Sequence, residues 1–441
     1  MTRYKVFDTV FYRAFFVLLW FALSGPASAV TLEEAIQATL RTNPDILANE
    51  HNVAAAEEVH RQARGAYLPR IDLMLAGGYE NSNNSTTRAA GVDELDLTRE
   101  EASLKVTQLL YDGFATSNFV SQQGALLDAA IARLVSSKEN VSLRAAQVYL
   151  EVLRRQKVVG LAQENLAHHN NTLEKIQERF ESGVGTRVDL VQTEGRRSQS
   201  RSNLLLAERD VKNSSARYRR VVGEVPAGLV EPGPVSDLPA TLEAAIEIAY
   251  RNSPQVLAAE AELEAAVAAR KQARGSFHPR FDLELGATRN EDTDGTVGPN
   301  DDETAIVRMT YNLYRGGSDR ARLNASEARE FAARERLRSV KRAVEEDVTL
   351  IWNELQDILA RLEYLEAHVN STEEVLRVYN EQLSLGKRTL LDVLDIQNEL
   401  LRAKVAYVAG QYTVKLARYR VLASSGQLLS TLGLGQGMMA R

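Results

Sequence analysis

The chain has 441 residues with 53 basic and 59 acidic side chains, and its formal net charge of −6 argues against a nucleic-acid partner. After the N-terminal segment no apolar run reaches about 18 residues, which excludes a helical membrane protein but not a β-barrel, whose strands alternate apolar and polar residues. The absence of cysteine excludes disulfides, thiolate metal sites and cysteine nucleophiles.

The first 29 residues have the pattern of a secretory signal peptide. Small residues at 27–29 offer a cleavage site, and the apolar stretch from Ala14 to Leu23 is too short to span a bilayer. That stretch follows three basic residues: Arg3, Lys5 and Arg13. We therefore expect segment 1–29 to be removed and the mature chain to be exported.

A tandem duplication organises the rest of the chain. Residues 31–75 align without a gap on 241–285, with 21 identical positions of 45. The predicted organisation is a signal peptide at 1–29, a first structural repeat at 30–225 with strands at about 69–113, an extended proline-rich connector at 226–240, a second repeat at 241–425 with strands at about 279–317, and a flexible C-terminal tail at 426–441.

Long segments without proline predict unusually long helices. Proline is absent between Pro69 and Pro226 and after Pro299. Apolar residues in these segments recur every three or four positions, as they do in coiled-coil seams. At about 1.5 Å per residue, helices at 114–182 and 318–384 would each be about 100 Å long. Four shorter helices are expected at 31–68, 187–222, 241–278 and 388–425, with breaks at Pro44 and Pro254.

Between the helices, each repeat changes to the period-two pattern of β-strands. Apolar residues occupy alternate positions at 71–75, 104–108, 281–285 and 307–313. Strands of about ten residues can cross a membrane obliquely. Four strands cannot close a barrel, and an open sheet would leave bare edges in lipid, so we expect three chains to share one barrel of twelve strands. The connections 80–100 and 289–303 are rich in Asn, Ser, Asp and Gly and are expected to face the cell exterior.

Over essentially the whole mature chain, the sequence resembles the TolC family of trimeric outer-membrane exit ducts. The resemblance rests on the duplication, on the motif RGxxxPRxDL at 64–73 and 274–283, and on two motifs between helices, RFESGVGTRVDLVQTE at 179–194 and LSLGKRTLLDVLDIQNEL at 383–400. It implies an α+β membrane protein in which a trimeric, twelve-stranded β-barrel, with four strands from each chain, is continued by a long α-helical barrel through the periplasm.

The resemblance also implies the location and the partners. The protein would be a homotrimer in the lipid of a Gram-negative outer membrane, with a long periplasmic extension, docked to a periplasmic adaptor (membrane fusion) protein and to an inner-membrane ABC transporter or proton-driven pump. No P-loop glycine pattern is present, so we expect a passive channel and neither a motor nor an enzyme. We predict no cofactor, no metal site and no nucleic-acid partner, and we assign His168 and His169 a packing or lining role.

The exported substrate is less well defined by the sequence than the duct. TVGPNDD at 296–302 and NLYRGG at 312–317 resemble the subgroup that serves type I protein secretion, which favours protein export. Efflux of drugs or metals with a proton-driven pump is the alternative. An alternative of a different class is a soluble periplasmic coiled-coil scaffold or adaptor, which would be extracted without detergent. A porin-like diffusion pore is disfavoured because it has no use for the helices.

The resemblance assigns functional residues to the motifs between the helices. Asp392 and Asp395 lie three residues apart on one helix face, and the resemblance places them in a narrow, cation-attracting channel constriction. Four residues are expected to act as gate tethers that hold the inner helices closed: Arg388, Asp189, Thr186 and Thr389. Leu383 departs from the family, which often has an aromatic gate residue there, so the tethers are expected to be weaker or differently arranged.

Overall fold

The computed structural model describes residues 29–235 and 238–435, so the predicted signal peptide lies outside the described residues except for Ala29. The chain divides into two compact units. Unit 1 comprises the described residues of Met1–Ala48, Val135–Ser253 and Ala343–Arg441, and unit 2 comprises Asn49–Leu134 and Pro254–Arg342. Each unit therefore draws on both sequence repeats.

Helices account for most of the described chain, and four strands form a single sheet. In chain order the elements are α1 (Leu32–Thr42), α2 (Pro44–Gly65), β1 (Arg70–Ser82), α3 (Ser85–Ala89), β2 (Leu95–Tyr111), α4 (Ala115–Glu181), α5 (Arg187–Val222), α6 (Leu242–Asn252), α7 (Pro254–Arg274), β3 (Arg280–Thr293), β4 (Thr296–Thr310), α8 (Ser318–Ser384), α9 (Leu390–Ser424) and α10 (Leu428–Thr431). A short 3₁₀ turn, Gly275–Phe277, follows α7.

The predicted proline breaks are present in both repeats. Pro44 begins α2 and Pro254 begins α7. Asn43 and Ser253, which precede the prolines, have extended backbones, as steric contact with the proline ring requires. At the start of α1, Thr31 and Glu34 form the reciprocal hydrogen bonds of a capping box. Local sequence signals thus place these helix ends.

The two predicted long helices are α4 and α8, and each has 67 residues. The apolar seam of α4 is buried within unit 1, where Val141, Ala145 and Val152 are at most 2% exposed. Tertiary packing of such a seam stabilises long helices more than intrinsic propensity does. In the described part of the chain, no helix combines the length and the apolar character that crossing a membrane would demand.

Unit 2 contains an antiparallel sheet with the strand order β1-β2-β3-β4. Its strands have 13, 17, 14 and 15 residues, so the prediction of about ten residues each was too short. The ladder continues beyond the apolar alternation into polar pairs such as Asn81 opposite Asp96, whose side chains also bond at 2.7 Å. Backbone pairing does not depend on side-chain polarity, so the alternation shows only the apolar part of each strand.

The predicted connections are also shorter than expected. Most of 289–303 belongs to β3 and β4, which are joined by a tight turn at Asp294 and Gly295. Both residues have positive φ, 52° and 76°, as a type I′ hairpin turn requires. Between β1 and β2 the connection is 83–94 and contains α3. At the far end of β4, segment 311–317 was predicted as strand but lies outside it, because Gly316 and Gly317 turn the chain with positive φ.

Unit 1 is built around a large hydrophobic core. The core includes Tyr149 of α4, Tyr218 of α5 and Leu422 of α9, all at most 2% exposed. Leu428 and Leu429 of α10 are buried in the same core, so the prediction of a flexible tail from residue 426 was wrong for the described residues. The Leu429 N–H donates to the buried Glu139 carboxylate at 3.2 Å, a tertiary contact that the local sequence could not reveal.

Candidate functional site

One face of the sheet in unit 2 is apolar and open to its surroundings. The strand register brings alternate side chains of all four strands to this face, with Leu73 opposite Leu104 and Leu283 opposite Val307. Exposed fractions run from 42% to 70% for Ile71, Leu73, Leu75, Leu104, Leu285, Val307 and Met309. A contiguous apolar surface of this kind marks contact with another protein or with a membrane. We call it the apolar face.

The opposite face of the sheet carries a network of ion pairs. Glu284 of β3 accepts from Lys105 of β2 at 3.1 Å and from Arg308 of β4 at 2.9 Å. Two residues before Glu284 on the same strand, Asp282 pairs with Arg280 at 2.7 Å. These groups are suited to water, and only isolated apolar side chains such as Met74 and Ile306 interrupt them. We call this surface the polar face. The ion pairs of Glu284 were not predicted from the sequence, because they join different strands.

Both edges of the sheet are unpaired. In the described chain, β1 pairs only with β2 and β4 pairs only with β3. Long, regular edge strands present rows of free N–H and C=O groups and normally acquire a partner or a cover. Because an apolar face accompanies these edges, pairing with a strand of another chain would satisfy both features.

The two motifs between helices, at 179–194 and 383–400, fold alike, and we call them the tip motifs. Gly183 and Gly386 take positive φ, 79° and 68°, just after α4 and α8 end. Thr186 then accepts from the backbone N–H of Asp189 at 3.1 Å, and the hydroxyl donates to the Asp189 carboxylate at 2.8 Å. This arrangement begins α5. The threonine and the aspartate of the first motif therefore act locally as a helix cap.

The second motif repeats this cap at Thr389 and Asp392. The Asp392 N–H donates to Thr389 at 3.3 Å, and the Thr389 hydroxyl donates to the Asp392 carboxylate at 2.7 Å. The hydroxyl hydrogen bond lowers the pKa of Asp392 below its ordinary value, which favours the charged form. A negative charge in the first turn also complements the helix dipole of α9.

Arg388 does not reach the first motif within one chain. Its guanidinium stacks over the ring of Tyr379 at 3.9 Å from the ring centroid, and its Nε lies 3.9 Å from the Asp392 carboxylate. In the described residues no hydrogen bond or ion pair joins Arg388 to Asp189. This partner of Arg388 was not predicted from the sequence, because Tyr379 lies within α8, before the motif at 383–400 begins.

Asp395 of the second motif forms an ion pair with α5, two residues beyond the end of the first motif. Its carboxylate accepts from Arg196 of α5 at 2.5 Å. Arg196 lies seven residues after Asp189, so heptad spacing could have found it on the same helix face. In the same motif, Leu383 packs with Leu390, Leu394 and Ile176 in a small hydrophobic cluster. The family departure at Leu383 thus supplies packing at the tip.

The side chain of His169 is buried with other polar groups. It is 0% exposed, and burial lowers the pKa of the imidazole. Neighbouring buried groups are Asn165, Ser200 and Gln397, and Ser200 donates to Asn165 at 2.7 Å. In the parts of the chain that the structure describes, no group of three or more His, Asp and Glu side chains is placed to hold a metal ion.

Comparison with known proteins places this geometry in context. A family model described as "Outer membrane efflux protein" matches residues 35–224 and 245–427. The chain is 27% identical over 437 residues to the outer membrane efflux protein BepC of Brucella suis biovar 1, covering 98% of this chain and 94% of BepC. It is 26% identical over 422 residues to the outer membrane protein TolC of Vibrio cholerae, covering 93% and 92%.

A third relative and two solved structures complete the comparison. Identity to the alkaline protease secretion protein AprF of Pseudomonas aeruginosa is 23% over 421 residues, covering 91% of this chain and 86% of AprF. A crystal structure of CusC superposes with a TM-score of 0.79 at 15% identity, covering 89% and 91% of the two chains. The outer membrane protein VceC of Vibrio cholerae gives 0.74 at 19% identity, covering 91% and 96%. These structures share the fold.

Proposed function

The chain belongs to the outer membrane efflux protein family, and from this premise we propose that three copies form an exit duct through the outer membrane and the periplasm. Family membership confirms the predicted resemblance to the TolC family and the predicted location in the outer membrane of a Gram-negative bacterium. It is incompatible with the alternative of a soluble periplasmic scaffold. The family transports substrates, which agrees with the expectation of a channel and not an enzyme.

The two-faced sheet is the observation that carries the proposal. The apolar face would contact lipid, and the polar face, with Glu284 and its partners, would line an aqueous lumen. Edge strands β1 and β4 would pair with β4 and β1 of neighbouring chains. Three sheets of four strands then close a barrel of twelve strands without bare edges in lipid.

The tips would form the periplasmic entrance, with α4 and α8 belonging to a helical barrel. Asp392 and Asp395 of three chains would give two rings of three carboxylates, a constriction that attracts cations. We assign the tether within one chain to Arg196 and Asp395, which link α5 to α9. Arg388, which contacts Tyr379 and Asp392, would stabilise the closed tip from within the second motif. Thr186, Asp189 and Thr389 would fix the helix starts that carry these groups.

For the exported substrate we favour protein, through type I secretion with an inner-membrane ABC transporter and a periplasmic adaptor. Support comes from the motifs at 296–302 and 312–317 and from the similarity to AprF, whose name describes secretion of a protease. The alternative is efflux of drugs or metals with a proton-driven pump, which the similarity to BepC favours.

The orientation of the sheet in the membrane is tested by matched charge insertions. Leu73→Lys plus Val307→Lys places lysines on the apolar face and should prevent membrane insertion, because a lysine near the bilayer centre costs about 2–4 kcal/mol in a barrel. Met74→Lys plus Ile306→Lys places the same charges on neighbouring positions of the polar face and should be tolerated. Equal insertion of both variants in outer-membrane fractions would refute the proposed orientation.

Assembly is tested by native mass spectrometry of the detergent-solubilised wild-type protein. We expect a homotrimer, and a stable folded monomer would refute the shared barrel. Surface topology is tested by an epitope inserted at Gly91, which has open space around it. Asn84 is unsuitable because its side-chain amide donates to the Asp294 carbonyl oxygen at 2.8 Å, and Gly295 is unsuitable because it belongs to the same tight turn. Antibody binding on intact cells is expected, and binding only after outer-membrane permeabilisation would invert the topology.

The substrate class is tested by deleting the gene and restoring it on a plasmid. Protein secretion predicts that particular proteins disappear from the culture medium while drug and metal susceptibility is unchanged. Increased susceptibility with an unchanged set of secreted proteins would favour efflux instead. The Met74→Lys plus Ile306→Lys variant serves as the positive control, since it should restore whichever activity the wild type restores.

A further inference from the structure

A cavity of about 740 Å³ in unit 2 lies next to the sheet and has an unusual number of arginines in its wall. Four arginines line it, Arg280, Arg315, Arg322 and Arg329, against two carboxylates, Asp112 and Glu262. Its floor consists largely of alanines of α7, whose small side chains leave the space open. A volume of this size falls within the range of about 300–1,000 Å³ that small-molecule sites occupy.

The two carboxylates in the wall are already engaged. Asp112 accepts from the Thr116 N–H at 2.8 Å and from its hydroxyl at 2.6 Å. Glu262 is paired with Arg133 of α4. Asp112 also acts electrostatically on Arg280, but neither carboxylate forms an ion pair with Arg322 or Arg329, and four arginines against two carboxylates leave the wall positively charged.

Two of the four arginines have no ion-pair partner within the described chain. Arg280 is paired with Asp282, and Arg315 lies 3.8 Å from Asp319. Arg322 and Arg329 are exposed on α8, and neither forms an ion pair with a carboxylate of the described residues. They lie seven residues apart, about 10.5 Å along the helix and on the same side of it. The pair could therefore hold two anionic groups of one ligand.

The cavity opens on the polar side of the sheet. Arg280 and Thr310, which line it, are directly opposite each other in the β3–β4 register and belong to the polar face. If the polar face lines the lumen, as the proposed function holds, the cavity faces the lumen too. This step rests on the proposed function, whereas the charge and size of the cavity do not.

We propose that this cavity binds multiply charged oxyanions, with Arg322 and Arg329 as the principal contacts. Guanidinium groups bind carboxylate and phosphate oxygens in a bidentate manner, so either chemistry fits. Two sources could supply it, a run of acidic side chains in a transported peptide or a small polyphosphate solute. The site would hold such groups transiently during transport, in contrast to the acidic residues of the tip motifs.

Binding is tested on the full-length protein in detergent by titration calorimetry with inorganic tripolyphosphate and, separately, with a tetraglutamate peptide. Arg322→Gln plus Arg329→Gln should weaken binding about a hundredfold, since each charge-assisted contact contributes about a factor of ten. The matched control is Arg320→Gln plus Arg336→Gln, which removes two exposed arginines of α8 that do not line the cavity. Binding of tripolyphosphate alone would assign the site to small solutes, and binding of the peptide would assign it to polypeptide cargo.

Absence of binding by either probe, or an equal loss in the control variant, would overturn the proposal. Planar-bilayer recordings separate its failure from that of the proposed function. Conductance that tripolyphosphate does not block would overturn the site and leave the channel intact. Absence of conductance would refute the channel, while the calorimetric titration would still decide whether the site binds oxyanions.

Discussion

Unit 1 is held together very differently in its main core and at its tips. The main core contains sixteen buried residues, including four tyrosines, drawn from α1, α4, α5, α9 and α10. The tip cluster contains three buried residues, Ile176, Leu390 and Leu394. Regions with few buried apolar contacts open locally at low free energy, whereas a large core opens only with global unfolding. The difference teaches that the tips can move while the core remains fixed.

Polar side chains strengthen this contrast. On the tip side of the long helices, Asn165, His169, Ser200 and Gln397 are buried together, with Ser200 bonded to Asn165 at 2.7 Å. In the main core, the Tyr149 hydroxyl instead bonds to the connector, at 2.6 Å from the Val230 carbonyl oxygen. This layer is only partly hydrogen-bonded, because the buried Gln397 Oε1 has no partner in the described chain, so it stabilises its surroundings less than an apolar core would.

The largest expected effect comes from the same substitution at two places on α9. Leu422 in the main core and Leu394 in the tip cluster are both 0% exposed. Leu422→Ala should lower the free energy of unfolding by about 2–5 kcal/mol. Leu394→Ala should change global unfolding by only about 1 kcal/mol or less, because the tip opens locally, and should accelerate hydrogen exchange there. Equal effects on thermal unfolding in detergent would remove the contrast.

A pH effect is expected at Glu139, whose carboxylate bonds to α10 beside the main core. Burial raises the pKa of Glu139 to about 7, although the N–H groups of α10 partly offset this. Because the folded protein holds this proton more tightly than the unfolded chain, stability should fall as pH rises from about 4.5 to 7, by about 3 kcal/mol at most. Glu139→Gln should keep the bond to Leu429 and abolish this slope in thermal unfolding. A slope unchanged in the variant would assign it to other groups.

A smaller effect is expected in the polar layer. Ser200→Ala should destabilise the protein by about 1–2 kcal/mol, since it leaves the buried Oδ1 of Asn165 without its donor. Adding Asn165→Leu should restore most of the loss, because replacing both partners with apolar groups is nearly neutral. We expect the double variant to open its tips less often in single-channel recordings. Additive losses in denaturant titrations would show that the two side chains do not act as a pair.

The smallest effect on stability is expected for the exposed tip. Arg388→Ser should leave thermal unfolding unchanged, since exposed ion pairs contribute little. It should nevertheless raise the mean open conductance, because the stacking on Tyr379 and the attraction to Asp392 are lost. The adjacent Lys387, which is exposed and unpaired in the described chain, gives the control Lys387→Ser. Equal conductance of wild type and both variants would exclude Arg388 as a tether.

Local signals in the sequence predicted much of this architecture. Pro44 and Pro254 interrupt their helices because a proline cannot continue the hydrogen-bonding pattern of a helix. Gly183 and Gly386 mark the tips because the chain turns there with positive φ. The Asp294-Gly295 turn carried an equally local signal that sequence analysis did not use, so strands β3 and β4 were predicted too short.

Long-range contacts were not predictable in the same way. The sequence predicted a flexible tail where α10 forms, because a helix of four residues has little intrinsic stability. The helix is held instead by burial in the main core and by the hydrogen bond to Glu139, which lies 290 positions earlier in the sequence. Likewise, no hydrogen bond or ion pair joins Arg388 to Asp189 in the described residues of one chain, while Arg196 pairs with Asp395. A charge pattern indicates which residues are available to pair, and only the packing of α5 beside α9 selects the partners.

The central claim, that the protein is a channel narrowed by acidic tips, is tested most directly by ion selectivity in planar bilayers. In a salt gradient the wild type should favour cations and be blocked by multivalent cations, because rings of charge concentrate counter-ions. Asp392→Ala plus Asp395→Ala should reduce both properties. Glu363→Ala plus Glu366→Ala, an exposed pair with the same spacing on α8, should change neither. Selectivity and block that are unchanged in the aspartate variant would contradict the account, because the constriction would then lie elsewhere.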